Sequence, residues 1–152
     1  MRFLAPPVAS TEQPGGASSI DNGKQLFRQV GCAACHTPMM RTGNSSVAAL
    51  RNQPVNLYSD LMLHDMGPGL SDGVSQGQAG PRDFRTAPLW GVGQRVFFLH
   101  DGRASDLIAA IAAHASGSTR TNDASEANLV VANFINLREG QKQDLLNFLR
   151  SR

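Results

Sequence analysis

The chain has 152 residues, the length of a single domain, with 14 Lys and Arg against 12 Asp and Glu for a formal net charge of +2. The basic residues are scattered rather than clustered, which argues against a nucleic-acid partner. No stretch approaches the roughly 20 apolar residues of a membrane-spanning helix, so we expect no membrane span. Fifteen Gly and eight Pro predict long loops between short helices.

The N-terminal segment, residues 1–18, is predicted to be a linker or interdomain segment because it contains three prolines and the run PGGASS. It does not resemble a signal peptide, since two prolines interrupt the apolar run after a few residues. A folded domain is expected over residues 19–152. Its first helix is predicted to begin near Ser19 or Asp21, both good N-caps, and to end at Gly31.

Residues 37–103 are predicted to be mostly loop, because glycine and proline interrupt every short apolar run. Three helices are predicted after them. They lie in ASDLIAAIAAHASG, ASEANLVVANFINL and EGQKQDLLNFLRS, which are residues 104–117, 124–137 and 139–151. No pair of segments shows a convincing period of two, so paired strands are not expected.

The stretch VGCAACHTP, residues 30–38, contains the two cysteines of the chain. Cys32, Cys35 and His36 form C-x-x-C-H, the pattern for covalent attachment of a c-type haem. Two thioethers would hold the porphyrin, and the histidine directly after them would be the proximal iron ligand. A zinc site would need about four ligands, and a redox dithiol would need a strand before the motif rather than a helix. The motif therefore predicts one covalent haem c.

The second axial position of the iron decides the chemistry, because a filled position favours electron transfer and an open one favours reaction with peroxide or oxygen. Seven side chains are candidate ligands for this second axial position: Met39, Met40, Met62, His64, Met66, His100 and His114. The first two follow the proximal ligand too closely to reach the opposite face. His64 and Met66 lie on a loop that can reach over, and His100 is better placed at the haem edge. His114 projects from the apolar face of a rigid helix and is the preferred ligand.

A helix before C-x-x-C-H, a long wrapping loop and a helix that closes the chain are typical of class I cytochromes c. We therefore expect an all-α, class I cytochrome c-like domain with long haem-wrapping loops. In such a fold the first and last helices cross and hold the haem.

Four segments in this order resemble the C-terminal haem domain of the bacterial di-haem cytochrome c peroxidase superfamily. They are LFRQVGCAACHTP, VNLYSDLMLHDMGPGLSDG, DFRTAPLWGVGQRVFFLHDGRASDLIAAIAAH and QKQDLLNFLRS. The similarity is greatest to the branch of di-haem oxidoreductases, also labelled thiol oxidoreductases. It implies haem anchors at Cys32 and Cys35, a proximal ligand at His36, and a distal ligand fourteen residues after His100, which is His114. The family's other haem lies in an N-terminal domain, whereas this chain has one C-x-x-C-H.

These features predict a low-spin His/His haem domain that transfers electrons within a di-haem peroxidase-like oxidoreductase. The alternative is a peroxidase or oxidase with an open distal site, in which His64 or Asp65 would act as acid or base. A thiol-active protein is a third interpretation, disfavoured because haem would consume both thiols.

The expected partner is another redox protein or a second haem domain, in a larger complex, facing the haem edge near Trp90 and Phe97. Covalent haem is normally attached outside the cytoplasm, so a periplasmic or otherwise exported protein is expected, with its export signal outside this chain.

Overall fold

The computed structural model describes residues 13–118 and 123–152, so most of the linker predicted at 1–18 lies outside the described residues. In these described residues, four α-helices and four short strands are joined by turns. The helices are α1 (Gly16–Gln29), α2 (Leu107–Ala113), α3 (Asn128–Ile135) and α4 (Glu139–Arg150). The strands are β1 (Met40–Arg41), β2 (Pro54–Val55), β3 (Leu63–Asp65) and β4 (Asp83–Arg85). Within the described ranges, no helix is long and apolar enough to cross a membrane.

The strands form two antiparallel ladders, β1 with β2 and β3 with β4. Met40 lies opposite Val55 in the first, and His64 lies opposite Phe84 in the second. The all-α, class I cytochrome c-like prediction is therefore wrong, and the described residues form a mixed α and β structure. The reason is length: a strand of two or three residues is too short to show a readable alternation of apolar and polar side chains.

The core lies where α1 packs against α4. Gly23 of α1 lies so close to α4 that a Cβ atom there would stand 2.6 Å from Cβ of Phe148. Phe27 of α1 contacts Phe148 with ring centroids 5.3 Å apart, and Leu145 beside them is fully buried. A glycine at the crossing lets the two helices approach closely enough for these side chains to interlock.

The helix ends differ from the predicted ones by a few residues. α1 begins at Gly16, before Ser19 and Asp21. α2 begins later than predicted, because the side chain of Asp106 accepts a hydrogen bond from the amide of Ala109 at 2.8 Å and so caps the helix. The same helix ends at Ala113, which makes His114 its C-cap rather than an interior residue.

Candidate haem site

The C-x-x-C-H segment is a tight turn that leaves the end of α1. Gly31 has φ = 107°, a left-handed conformation that glycine adopts without strain, and a 3₁₀ turn follows over Cys32–Ala34. The amide of His36 then donates to the carbonyl of Cys32 at 2.9 Å. One turn of backbone therefore carries both cysteines and the histidine, and both cysteines are free thiols.

Neither thiol has the properties of a reactive redox cysteine. Burial raises the pKa of Cys32 to about 12. The pKa of Cys35 is also raised, first by burial and then by the charges of Asp60 and Glu126. Since thiolate is the nucleophile in thiol–disulfide exchange, these protonated thiols do not favour a thiol-active protein.

His36 is held as a neutral imidazole with one nitrogen left for a ligand. Its Nδ1 lies 3.0 Å from the carbonyl oxygen of Tyr58, and because a carbonyl only accepts, Nδ1 carries the proton. Nε2 therefore keeps its lone pair. Burial lowers the pKa of His36 below its usual value, which favours this neutral form.

The segment that receives His36 is held to the C-x-x-C-H turn by backbone hydrogen bonds. Tyr58 is buried and has φ = 52°, a left-handed conformation that is uncommon for a tyrosine. The amides of Ser59 and Asp60 donate to the carbonyls of Thr37 and Cys35 at 3.0 and 2.9 Å. This pairing fixes the Tyr58 carbonyl against the turn that carries His36. No local sequence signal marks an acceptor 22 residues away.

His114, at the end of α2, also has its Nδ1 next to a backbone carbonyl. Its Nδ1 lies 2.7 Å from the carbonyl oxygen of Ala110, one turn back in α2, so this nitrogen also donates and Nε2 keeps its lone pair. Burial lowers the pKa of His114. A charge on His114 would also lower the pKa of His36, so the two rings lie within electrostatic reach of each other.

The chain after His114 is tied to the residues before α3. Ser125 Oγ donates to the His114 carbonyl at 2.6 Å. The side-chain amide of Asn128 accepts from the amide of Ser116 at 2.9 Å and donates to its carbonyl at 3.0 Å. Sequence reasoning missed Ser125 and Asn128, because each acts on backbone more than ten residues away.

The other candidate iron ligands lie in different surroundings from His114. Both ring nitrogens of His64 are engaged, Nε2 with Asp60 at 3.0 Å and Nδ1 with Glu126 at 2.7 Å. Burial opposes a charge on His64, but these bonds raise its pKa, which favours the protonated ring over one with a lone pair for a metal. Met66 is buried. Met39 is about half exposed.

The two residues predicted at the haem edge have partners of their own. The ring of His100 stacks on Phe84, with centroids 4.4 Å apart and planes 26° apart. The indole of Trp90 donates to the carbonyl of Asn56 at 2.7 Å. In the described part of the chain, no ring contact or hydrogen bond joins either residue to the C-x-x-C-H turn.

The side chains present fit a haem with two protein ligands. Two imidazoles offer Nε2 while a backbone carbonyl holds each Nδ1 proton, which is the arrangement that orients metal-binding histidines. Two free thiols lie on the same turn as one of these imidazoles. These donors are of the kinds that a haem takes from a protein.

The chain matches the protein family described as "Di-haem oxidoreductase, putative peroxidase" over residues 4–152. The chain belongs to this family. Among curated proteins none matches it. This chain also shares its fold with a xenon-pressurised structure of Kuenenia stuttgartiensis hydrazine synthase, at a TM-score of 0.60 and 18% sequence identity. That likeness covers 99% of this chain and 52% of the hydrazine synthase chain, so this chain spans about half the length of that structure's chain.

Proposed function

We propose that this chain is a haem domain that transfers electrons, with one haem c bound covalently through Cys32 and Cys35 and ligated by His36 and His114. The observation that supports it is the shared state of the two imidazoles. Each is partly buried, each has a pKa lowered by burial, and each donates Nδ1–H to a carbonyl. Haem bound there would supply a centre that gains and loses one electron.

The roles of the protein follow from the contacts of the two histidines. The Tyr58 and Ala110 carbonyls orient the rings and keep Nε2 unprotonated. The buried Phe27 ring lies 6.4 Å from the His36 ring between centroids and contacts it from the core. Two rigid imidazoles would fill both axial positions, which disfavours binding of peroxide and favours electron transfer.

A second redox centre is the proposed partner. The family description names two haems, whereas this chain has one C-x-x-C-H. Val96 and Phe97 are apolar, and 68% and 65% of their surfaces are exposed. We propose that this apolar surface, together with Trp90, faces a second haem domain or another redox protein in a larger complex. Attachment of haem c would take place after export, in the periplasm or an equivalent compartment.

The test of the proposed ligands is the spin state of the ferric protein, measured by optical and EPR spectroscopy. Wild type should be low-spin, without the far-red charge-transfer band of methionine ligation, because two imidazoles are strong-field nitrogen ligands. His114→Ala should become high-spin and should gain both binding of added ligands and peroxidase activity. Added imidazole should return this variant to low spin, which a variant that had merely unfolded would not do.

Two outcomes would contradict this assignment. If His114→Ala stays low-spin while Met66→Ala or His64→Ala opens the iron, the distal ligand is not His114. If wild type is already high-spin and reacts rapidly with peroxide, the chain is a haem peroxidase or oxidase rather than an electron-transfer domain.

A further inference from the structure

The side chain of His64 lies against one of the two cysteines that would attach the haem. Its Nδ1 lies 3.6 Å from Sγ of Cys35. A haem joined to this sulfur by a thioether would therefore have the His64 ring next to its rim. Both nitrogens of the ring bond to carboxylates, so the ring would be a neighbour of the haem and not a ligand of its iron.

Two carboxylates hold a proton on the His64 ring. Oε2 of Glu126 lies 2.7 Å from Nδ1, and Oδ2 of Asp60 lies 3.0 Å from Nε2. Because an ionised carboxylate only accepts hydrogen bonds, a ring protonated on both nitrogens satisfies both partners. The side chains of His64 and Asp60 are 16% and 15% exposed, which limits the screening of their charges by solvent. The proton on this ring therefore responds to a change of charge nearby.

Backbone hydrogen bonds keep both carboxylates in place. The amide of Asp60 donates to the carbonyl of Cys35 at 2.9 Å. The amide of Glu126 donates to the carbonyl of Asp65 at 2.9 Å, and the amide of Asp65 donates to Oε1 of Glu126 at 3.0 Å. Oε1 is anchored in this way while Oε2 bonds to His64. Because the Glu126 side chain is 53% exposed, it connects the ring to solvent, and a proton can enter and leave through it.

The other charged residues of the β3–β4 ladder lie on its opposite face. His64 pairs across the ladder with Phe84, which is apolar. Neighbouring positions of a strand point to opposite faces, so the residues on either side of this pair point away from the ring. The charged residues among them are Asp65, Asp83 and Arg85, and Asp65 forms an ion pair with Arg82 at 2.7 Å.

The titratable groups that face His64, among the described residues, are Glu126, Asp60 and the thiol of Cys35. A thioether would remove the thiol and place the haem beside the ring instead. An electron that reaches the haem reduces the positive charge there, which favours an imidazolium next to it by Coulomb attraction. By reciprocity, a proton on His64 favours the reduced haem by the same free energy.

We propose that His64 takes up a proton when the haem of this chain gains an electron and releases the proton when the electron leaves. The electron comes from the redox partner, and the proton comes from solvent through Glu126. One electron and up to one proton therefore enter or leave the domain together. This inference rests on the proposed covalent haem at Cys35, but it does not require His114 as the distal ligand.

The reduction potential of the haem-bearing protein tests this coupling when it is measured by spectroelectrochemistry between about pH 5 and 10, a range that brackets the usual histidine pKa. The potential of wild type should fall as pH rises. Because Glu126 and Asp60 raise the pKa of His64 although burial opposes its charge, the fall should lie above pH 6.5. The proton should bind about three- to tenfold more tightly to the reduced protein, since the groups are partly exposed. A tenfold ratio corresponds to a total fall of about 59 mV for a one-electron centre.

Two variants separate His64 from other titrating groups. His64→Gln should lack this fall and should keep a potential near the alkaline value of wild type. The haem propionates titrate in both proteins, so the difference between the two curves is the readout. Glu126→Gln retains the histidine and should move the fall to lower pH, because it removes a carboxylate that favours the proton. Glu139→Gln, a remote carboxylate paired with Lys142, is the matched control and should leave the curve unchanged.

Three results would overturn the coupling. One is the same pH dependence in wild type and His64→Gln, which would assign it to the propionates. The second is a fall that Glu126→Gln leaves at the same pH, and this variant keeps the test valid if His64→Gln does not fold. The third is a high-spin ferric spectrum in His64→Gln, which would identify His64 as an iron ligand.

The spin state and the retention of haem in acid acetone report separately on the proposed function. A low-spin protein that retains its haem and shows identical curves with and without His64 would refute the proton coupling alone. A chain that attaches no haem would refute both the proposed function and the coupling.

Discussion

At the scale of the residue, Cys32 and Cys35 are expected to attach haem independently of each other. Each is a free thiol on the turn that carries His36. Cys32→Ala or Cys35→Ala should leave one thioether and one intact vinyl group, which shifts the pyridine haemochrome band to the red. The double variant should release its haem into acid acetone, whereas wild type should retain it. Extraction of haem from wild type by acid acetone would show that the attachment is not covalent.

At the scale of the element, the crossing of α1 and α4 depends on Gly23. A Cβ atom there would meet Phe148 at 2.6 Å and would also clash with the backbone at Asp144, which cannot move aside cheaply. Gly23→Ala should therefore destabilise the fold by about 1–3 kcal/mol, as overpacking of a core does. Gly140→Ala is the matched control, because nothing lies within 4 Å of that position in α4. Urea unfolding measures both. Equal stability of the two variants would contradict the close approach of the helices.

At the scale of the whole molecule, the ion pairs of His64 with Asp60 and Glu126 connect segments far apart in the chain. They should make stability depend on pH. Burial opposes the charge of His64, but Glu126 and Asp60 raise its pKa above the ordinary value of 6.5. The proton on His64 therefore stabilises the folded state fully at pH values below the pKa of His64 in the unfolded chain. This contribution disappears as pH rises through the pKa of His64 in the folded chain. The difference in unfolding free energy between wild type and His64→Gln should be about 1 kcal/mol or less, because Glu126 is half exposed. This difference in unfolding free energy should become smaller towards alkaline pH.

Thermal unfolding of both proteins between about pH 5 and 9, a range that brackets the usual histidine pKa, measures that difference. The two carboxylates have lowered pKa values, Glu126 through its bond to His64 and Asp60 through hydrogen bonds that outweigh burial. Their contribution is lost at acid pH instead, as they become protonated. A difference that stays constant across the neutral range would show that the proton on His64 does not link these segments.

The sequence by itself determined the family, and it predicts the chemistry of the C-x-x-C-H motif. C-x-x-C-H has a spacing that serves covalent haem, and the ordered segments around it identify the di-haem oxidoreductase family, which is confirmed over residues 4–152. Both are properties of local order along the chain and need no tertiary contact to read. Four helices were also predictable from their apolar spacing and caps, to within a few residues at their ends. His36 and His114 as iron ligands stay predictions.

Only the tertiary structure decided which segments pair as strands and which groups surround His36 and His64. The two small sheets are made of strands of two or three residues, which form because the segments they pair are brought together by the fold. The Tyr58 carbonyl that receives His36 and the carboxylate of Glu126 beside His64 lie 22 and 62 residues from their partners. Such contacts depend on where distant segments meet, and neither propensity nor periodicity carries that information. The same physical reason explains why the sequence predicted an all-α domain and the structure has both helices and strands.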